Sequence, residues 1–240
     1  EQARRWHALA LAHLAGGDTN RAAEFSSALE DCWKQLKQER FEAAEKAEEA
    51  SRKDKKEKGD TAKAMVAAME GYNGRLETVE KYRTELKIQN LIAAGRIDEA
   101  ASILDESKQL EVQTRARLSL AVGNVTNTVA LAGEIARNGT NQAPALAFAT
   151  HLLWRCGETN QAAGTFRQLR AISARFDPDV AIFNRLAPVA KHLGLPSDWR
   201  IPASPATDIG MRPSLDWLGP FRWAPYQAPG WKLPDGSGKE

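Results

Sequence analysis

Four histidines and two cysteines are the residues whose types could do chemistry here, as metal ligands, proton carriers or thiol nucleophiles. Their spacing argues against each role. His7 and His13 are six apart, whereas two ligands on one helical face need a separation of three or four. His151 and His192 stand alone and read as surface or capping residues. Cys32, beside Trp33, reads as a small buried thiol, and Cys156, ahead of a turn glycine, as a partly exposed one. Neither belongs to a Cys-x-x-Cys pair, so no disulfide framework is indicated, and only redox partnership with a cysteine of another chain stays open. The triplets Asn124-Val125-Thr126 and Asn138-Gly139-Thr140 fit a glycosylation pattern that chance supplies often. No catalytic, metal-binding or cofactor-binding residue is expected in this chain.

The elements that would position any site are helical. The 240 residues are 42% hydrophobic, enough for one large core or two modest ones. Thirty-three basic residues against 31 acidic ones leave a net charge of +2, which gives no strong field for nucleic acid or an anionic membrane. No apolar run is long enough to insert into a bilayer, and the chain, starting at Glu1, reads as an excised segment. The expected fold class is all-α.

One local pattern recurs through the helical zones: an apolar helix end, a turn containing glycine, then a new helix start. It occurs around Gly17, Gly95, Gly123 and Gly157. Glycine supplies the left-handed position that ends a helix, and small residues such as Ala100-Ala101 and Ala162-Ala163 let antiparallel helices approach. The pattern resembles the turn within tetratricopeptide repeats, although only the interval from Gly123 to Gly157, 34 residues, has the usual period, while Gly95 to Gly123 spans 28. The resemblance implies an array of helical hairpins over 91–194, preceded by a helical region over 1–90.

Within that first region, Leu29, Trp33, Leu36, Arg40, Ala43, Ala47 and Ala50 step by four and three, as do Met65, Met69, Tyr72, Leu76, Val79, Tyr82 and Leu86. Folding at Gly59 pairs Trp33 with Leu86 and Arg40 with Val79, sets the small Ala43, Ala47 and Ala50 against the large Leu76, Tyr72 and Met69, and predicts a long antiparallel hairpin over about 29–58 and 61–90. Asp60 or Thr61 is expected to cap the returning helix, and Arg40 to reach out of the seam along its own stem.

Eight of the eleven prolines lie between Pro196 and Pro234, which excludes regular helix there. Trp199, Trp217 and Trp223 carry too much ring surface for a solvated linker, so 195–227 is expected to pack back on the helices and cap the last hairpin. The final stretch carries Ala228, Pro229, Trp231, Leu233, Asp235, Gly238 and Lys239. It resembles the opening of redoxins, the thioredoxin-like family that includes peroxiredoxins of the alkyl hydroperoxide reductase and thiol-specific antioxidant types. Residues 177–188, 195–200 and 218–223 also look like the stretch ahead of the redoxin domain in large multidomain bacterial proteins of planctomycete type. The resemblance implies that 228–240 begins a redoxin domain whose reactive cysteine lies beyond Glu240.

Three functions are compatible with these readings. The chain is a non-catalytic scaffold or interaction module whose partner is a protein, a peptide or the attached redoxin. Alternatively it is a segment of a thiol-disulfide oxidoreductase or peroxiredoxin-like enzyme, or a spacer or dimerisation arm. A monomer is expected, because seams that pair internally leave little for an outside helix. Redoxins with helical extensions are frequently exported, so the resemblance favours an exported or periplasmic compartment over the cytoplasm.

Overall fold

A computed structural model describes residues 1–53, 58–175 and 180–202. Among the described residues every regular element is helical, so the chain is all-α. In order these are α1 (Gln2–Ala15), α2 (Thr19–Lys53), α3 (Lys58–Ala93), α4 (Ile97–Glu106), α5 (Val112–Ala121), α6 (Val125–Asn138), α7 (Ala143–Arg155), α8 (Thr159–Ala171), a 3-10 turn at Ser173–Arg175, α9 (Ala181–Asn184) and α10 (Ala187–His192). No described helix is long and apolar enough to cross a membrane.

The turns follow from backbone chemistry. Gly17, Gly95, Gly123 and Gly157 all take φ between 73° and 80°, where a side chain would crowd its own carbonyl. At each, the residue after the glycine closes a six-residue ring onto the preceding helix: the N–H of Asp18 donates to His13 O, that of Arg96 to Leu91 O, that of Asn124 to Ser119 O and that of Glu158 to Leu153 O, at 2.9–3.0 Å. The glycine N–H donates to the carbonyl three residues back, so two orphan acceptors are satisfied per helix end. Gly194, φ 67°, repeats the motif after α10. Sequence reading passed over it because Leu195-Pro196 follows in place of a helix start. Caps complete two junctions: Asp18 Oδ1 accepts from Arg21 N–H and Asn124 Oδ1 from Asn127 N–H, both at 3.1 Å.

α1 packs on α2 and α3, and from α3 onward the chain packs stepwise: α3 with α4 and α5, then α5 with α6, α6 with α7 and α7 with α8. Two helices are shared between neighbouring cores. In α3, Leu86 belongs with Leu29, Leu36 and Val79, while Ile88 faces the other way, with Leu104 and Leu118. In α5, Leu118 joins that second cluster and Ala116 the third, built around Leu146, Leu153, Phe166 and Leu169. Residues two apart on a helix point about 200° apart, so each shared helix binds a core on both flanks. Residues 1–90 and 91–194 therefore lie in one compact unit, Glu1–Ile201, and the 90/91 boundary falls inside α3.

The long hairpin differs from its expected form in extent, seam and register. α2 begins at Thr19, ten residues before the expected start, and Gly59, Asp60 and Thr61 lie inside the first turn of α3, where the fold point and caps were expected. On α2 the buried positions from Leu29 onward are Leu29, Leu36, Ala44 and Ser51, while Ala50 is exposed. The seam slips by one residue after Leu36, giving about 3.67 residues per turn from Leu29 to Ser51 in place of the heptad's 3.5. Across the pair Ser26 meets Asn90, Glu30 meets Arg83 and Glu39 approaches Arg75. Those pairs lie three to six residues, or about one to two turns, from the register in which Trp33 faces Leu86. The guanidinium of Arg83, 3.9 Å from the Trp33 ring centroid, takes the place expected for Leu86. Arg40 stays partly in the seam, its Nε buried with no partner, so it does not fully clear the interface.

Trp199 is 4% exposed, its ring 4.8 Å from Phe166 and 6.4 Å from Phe183. Arg170 Nε donates to its carbonyl at 2.8 Å and the Ile201 N–H to Ser173 Oγ at 2.9 Å, fixing this stretch over the end of α8. Trp217, Trp223, Ala228, Pro229, Trp231, Leu233, Asp235 and Gly238 lie outside the described residues.

Candidate binding cleft

A cleft of about 720 Å³ opens where the base of the long hairpin meets the end of α4. Its floor is apolar, from Leu29, Leu86, Leu91 and Ile103, and its walls are polar. The wall from α3 is built by helical periodicity, since Glu80, Arg83, Lys87 and Asn90 recur at three and four residues and share one face.

Those wall groups divide into spent and unspent. Arg83 is spent: Nε and Nη2 donate to Glu30 Oε2 at 2.7 and 2.5 Å, Nη1 donates to Glu80 Oε2 at 2.5 Å, and its plane covers Trp33. Arg96 is held by a two-pronged contact with Glu99, both bonds 2.5 Å, which raises the guanidinium and lowers the carboxyl from their ordinary values. Ser107 Oγ donates to Ile103 O within its own turn. Lys87 makes no ion pair among the described residues, and Asn90 reaches only a long 3.4 Å bond to Ser26 Oγ. Gln109 stands on the facing wall.

Behind the cleft, on another face of α3, lies a buried polar junction. Glu85 is 7% exposed; its Oε2 accepts from His7 Nε2 at 3.0 Å and its Oε1 from Arg117 Nη2. One carboxylate thus ties α1 and α5 to α3. Burial alone would push this carboxyl up, but the His7 hydrogen bond and the charges of His7 and Arg117 outweigh it, leaving it below the ordinary value. The His7 ring also stacks on Tyr82, centroids 4.3 Å apart and planes 16° apart.

The remaining candidates sit apart from one another. His13 approaches Asp18 at 3.4 Å and stacks on Phe25. His192 meets the Trp154 ring at 5.3 Å. His151 Nδ1 is buried without a partner, and burial first, then Arg185 and Arg155, depress its basicity, so the imidazole is neutral at pH 7. Burial, then Glu158, pushes the Cys156 thiol up despite Arg155, which makes it a poor nucleophile at neutral pH. Cys32 lines a second hollow, of about 1020 Å³, with Trp6 and Tyr82. Among the described residues no three His, Cys, Asp or Glu side chains converge as metal ligands would. Glu85 escaped the sequence reading because one glutamate in a charged helix looks like part of a solvated face; its place between the seam residues Tyr82 and Leu86 was the available signal.

No family model, curated protein or solved structure matches the chain.

Proposed function

We propose that this chain is a non-catalytic helical scaffold, and that the cleft beside α3 receives an extended segment of a partner protein or of the attached polypeptide. The observation that carries this reading is the division of the cleft's groups: an apolar floor, a guanidinium already neutralised, and on the walls an Asn90 amide held by one long 3.4 Å bond and a Lys87 ammonium with no ion pair among the described residues. An extended backbone offers donors and acceptors in alternation. The carboxamides of Asn90 and Gln109 supply both, while the floor takes an apolar side chain. The tetratricopeptide-like turns support the same reading, since helical arrays bind along concave surfaces.

Fluorescence anisotropy with a labelled library of extended peptides tests it. Binding to the native chain is expected to weaken about tenfold in Asn90→Ala and in Lys87→Ala, one hydrogen bond to a charged or uncharged partner each. Equal affinity in both variants would remove the cleft from the account. A second reading, that the parent protein is a thiol-dependent oxidoreductase or peroxidase, is supported by the redoxin-like residues Ala228 to Gly238 alone. Reading the parent sequence past Glu240 decides it: a strand-rich continuation with a cysteine at a helix start is expected, and its absence would end that reading.

A further inference from the structure

We propose that the long hairpin docks against a second copy of this chain, the two α2 helices meeting antiparallel about a twofold axis at Phe41. Phe41 is 59% exposed, the most exposed large apolar side chain among the described residues. Val66 of α3, 49% exposed, stands on the same flank of the arm. Each precedes a seam residue by three positions, Ala44 on α2 and Met69 on α3, and equal rotation from the seam on two antiparallel helices leads to one side. The outer arm has little of its own to cover that flank: from Asp60 to Thr78 no residue of α3 is buried, and Met65, Met69, Tyr72 and Leu76 are half-buried. Two helices alone bury one seam and leave their flanks to solvent or to a partner.

The charges beside Phe41 say which partner fits. In steps of three and four, the face of α2 centred on Phe41 carries Glu30, Lys34, Lys37, Phe41, Glu45, Glu48 and Arg52. Every charge on it has one of opposite sign at the same distance beyond Phe41: Lys37 and Glu45 are four residues away, Lys34 and Glu48 seven, Glu30 and Arg52 eleven. A twofold axis through Phe41 sets each residue against its counterpart on the other copy, so all six charges meet the opposite sign along about 33 Å of helix. Laid parallel and in register, the same stripe would oppose like charges throughout.

Internal pairing of the seam, the ground for expecting a monomer, does not use this face. At its centre Lys37 and Glu45 make no ion pair among the described residues, and the Lys37 ammonium rests 4.2 Å from the Trp33 ring centroid. The outer members are held within their own chain: Lys34 approaches Asp31 at 3.7 Å, Glu48 accepts from Arg52 at 2.5 Å and Glu30 from Arg83 at 2.7 Å. The Lys34 and Arg52 pairs are exposed, so exchanging them for carboxylates of the second copy costs little. Helix α1 does not obstruct the approach. The α2 residues that share a hollow with its first turns, among them Ala28, Cys32 and Gln35, lie on the far side of α2 from Phe41.

Sedimentation equilibrium of the whole chain, from micromolar to near-millimolar concentration at low salt, tests this. A monomer–dimer equilibrium is expected, weakening about tenfold when salt is raised to about 0.5 M. Phe41→Glu is expected to weaken it by at least about tenfold while leaving the circular-dichroism helicity of the monomer unchanged, since the ring is exposed. Lys37→Glu and Glu45→Lys are each expected to weaken it about fivefold, because each sets like charges opposite one another twice. An equimolar mixture of those two variants is expected to regain native affinity, each copy offering the other opposite charges at both positions. A chain that stays monomeric over the whole range overturns the proposal, as does a dimer indifferent to Phe41→Glu, which would lie on another face. A mixture that associates no better than the separate variants overturns the antiparallel register and the proposal with it.

Discussion

Phe166→Ala is expected to destabilise the chain by about 4 kcal/mol and to loosen the segment around Trp199 at the same time. Phe166 is fully buried, in the cluster that α7 and α8 build with Leu146, Leu152, Leu153 and Leu169. Truncation removes a ring that neighbours cannot replace, because the Gly157 turn fixes α7 and α8 against each other and the site collapses only in part. The Trp199 ring, 4.8 Å from Phe166, loses its main aromatic partner. Denaturant unfolding measures the first effect. The second appears as faster amide exchange at Ile201, whose N–H is donated to Ser173 Oγ. A loss under about 1.5 kcal/mol, or unchanged exchange at Ile201, would mean that Phe166 does not organise this end.

Glu85→Ala is expected to cost about 3 kcal/mol at pH 7, because two charge-assisted hydrogen bonds disappear and His7 and Arg117 are left facing each other across the gap. The pH dependence has a definite sign. The folded-state value of the Glu85 carboxyl lies below its ordinary 4.5, so its contribution is complete above that pH and is lost as pH falls through 4.5 toward the folded value. Unfolding midpoints between pH 7 and pH 3 should fall less in Glu85→Gln than in the native chain, which isolates the carboxylate from the shape of the side chain. Parallel curves for the two proteins would show that other carboxylates, not this one, set the acid limb.

The sequence showed the helices and their turns plainly, because glycine at the left-handed position and apolar periodicity are both local signals. Register was not local. The heptad reading of α2 assumed 3.5 residues per turn through Ala43 and Ala50, whereas an untwisted helix drifts, and two small residues, Ala44 and Ser51, were equally able to fill the seam. Nothing in composition separates Ala43 from Ala44 when both are alanine. The cation–π contact of Arg83 with Trp33 was hidden for a related reason: apolar pairing rules have no place for an arginine whose charge is neutralised by Glu30 and Glu80 from either side. Gly139 was legible only as part of a glycosylation triplet. The structure shows a different need, since a Cβ there would lie 2.5 Å from that of Ala145, so the α6–α7 corner closes only around a bare backbone. Glu85, the tie between three helices, depends on α1 and α5 arriving from 78 and 32 residues away, and no window along the chain contains that information.

The slipped seam of α2 has a mechanical side. A helix pair with about 3.67 residues per turn hardly winds, so the 35-residue α2 runs as a nearly straight strut of about 52 Å. Its first half is flanked by α1 and α3, and its far end, among the described residues, is braced by α3. Over the part of α2 beyond Glu30, about 35 Å, a tilt of roughly ten degrees at the base would carry the far end through about 6 Å, which makes the arm an amplifier of small rearrangements at the junction where α1, α3 and α5 meet.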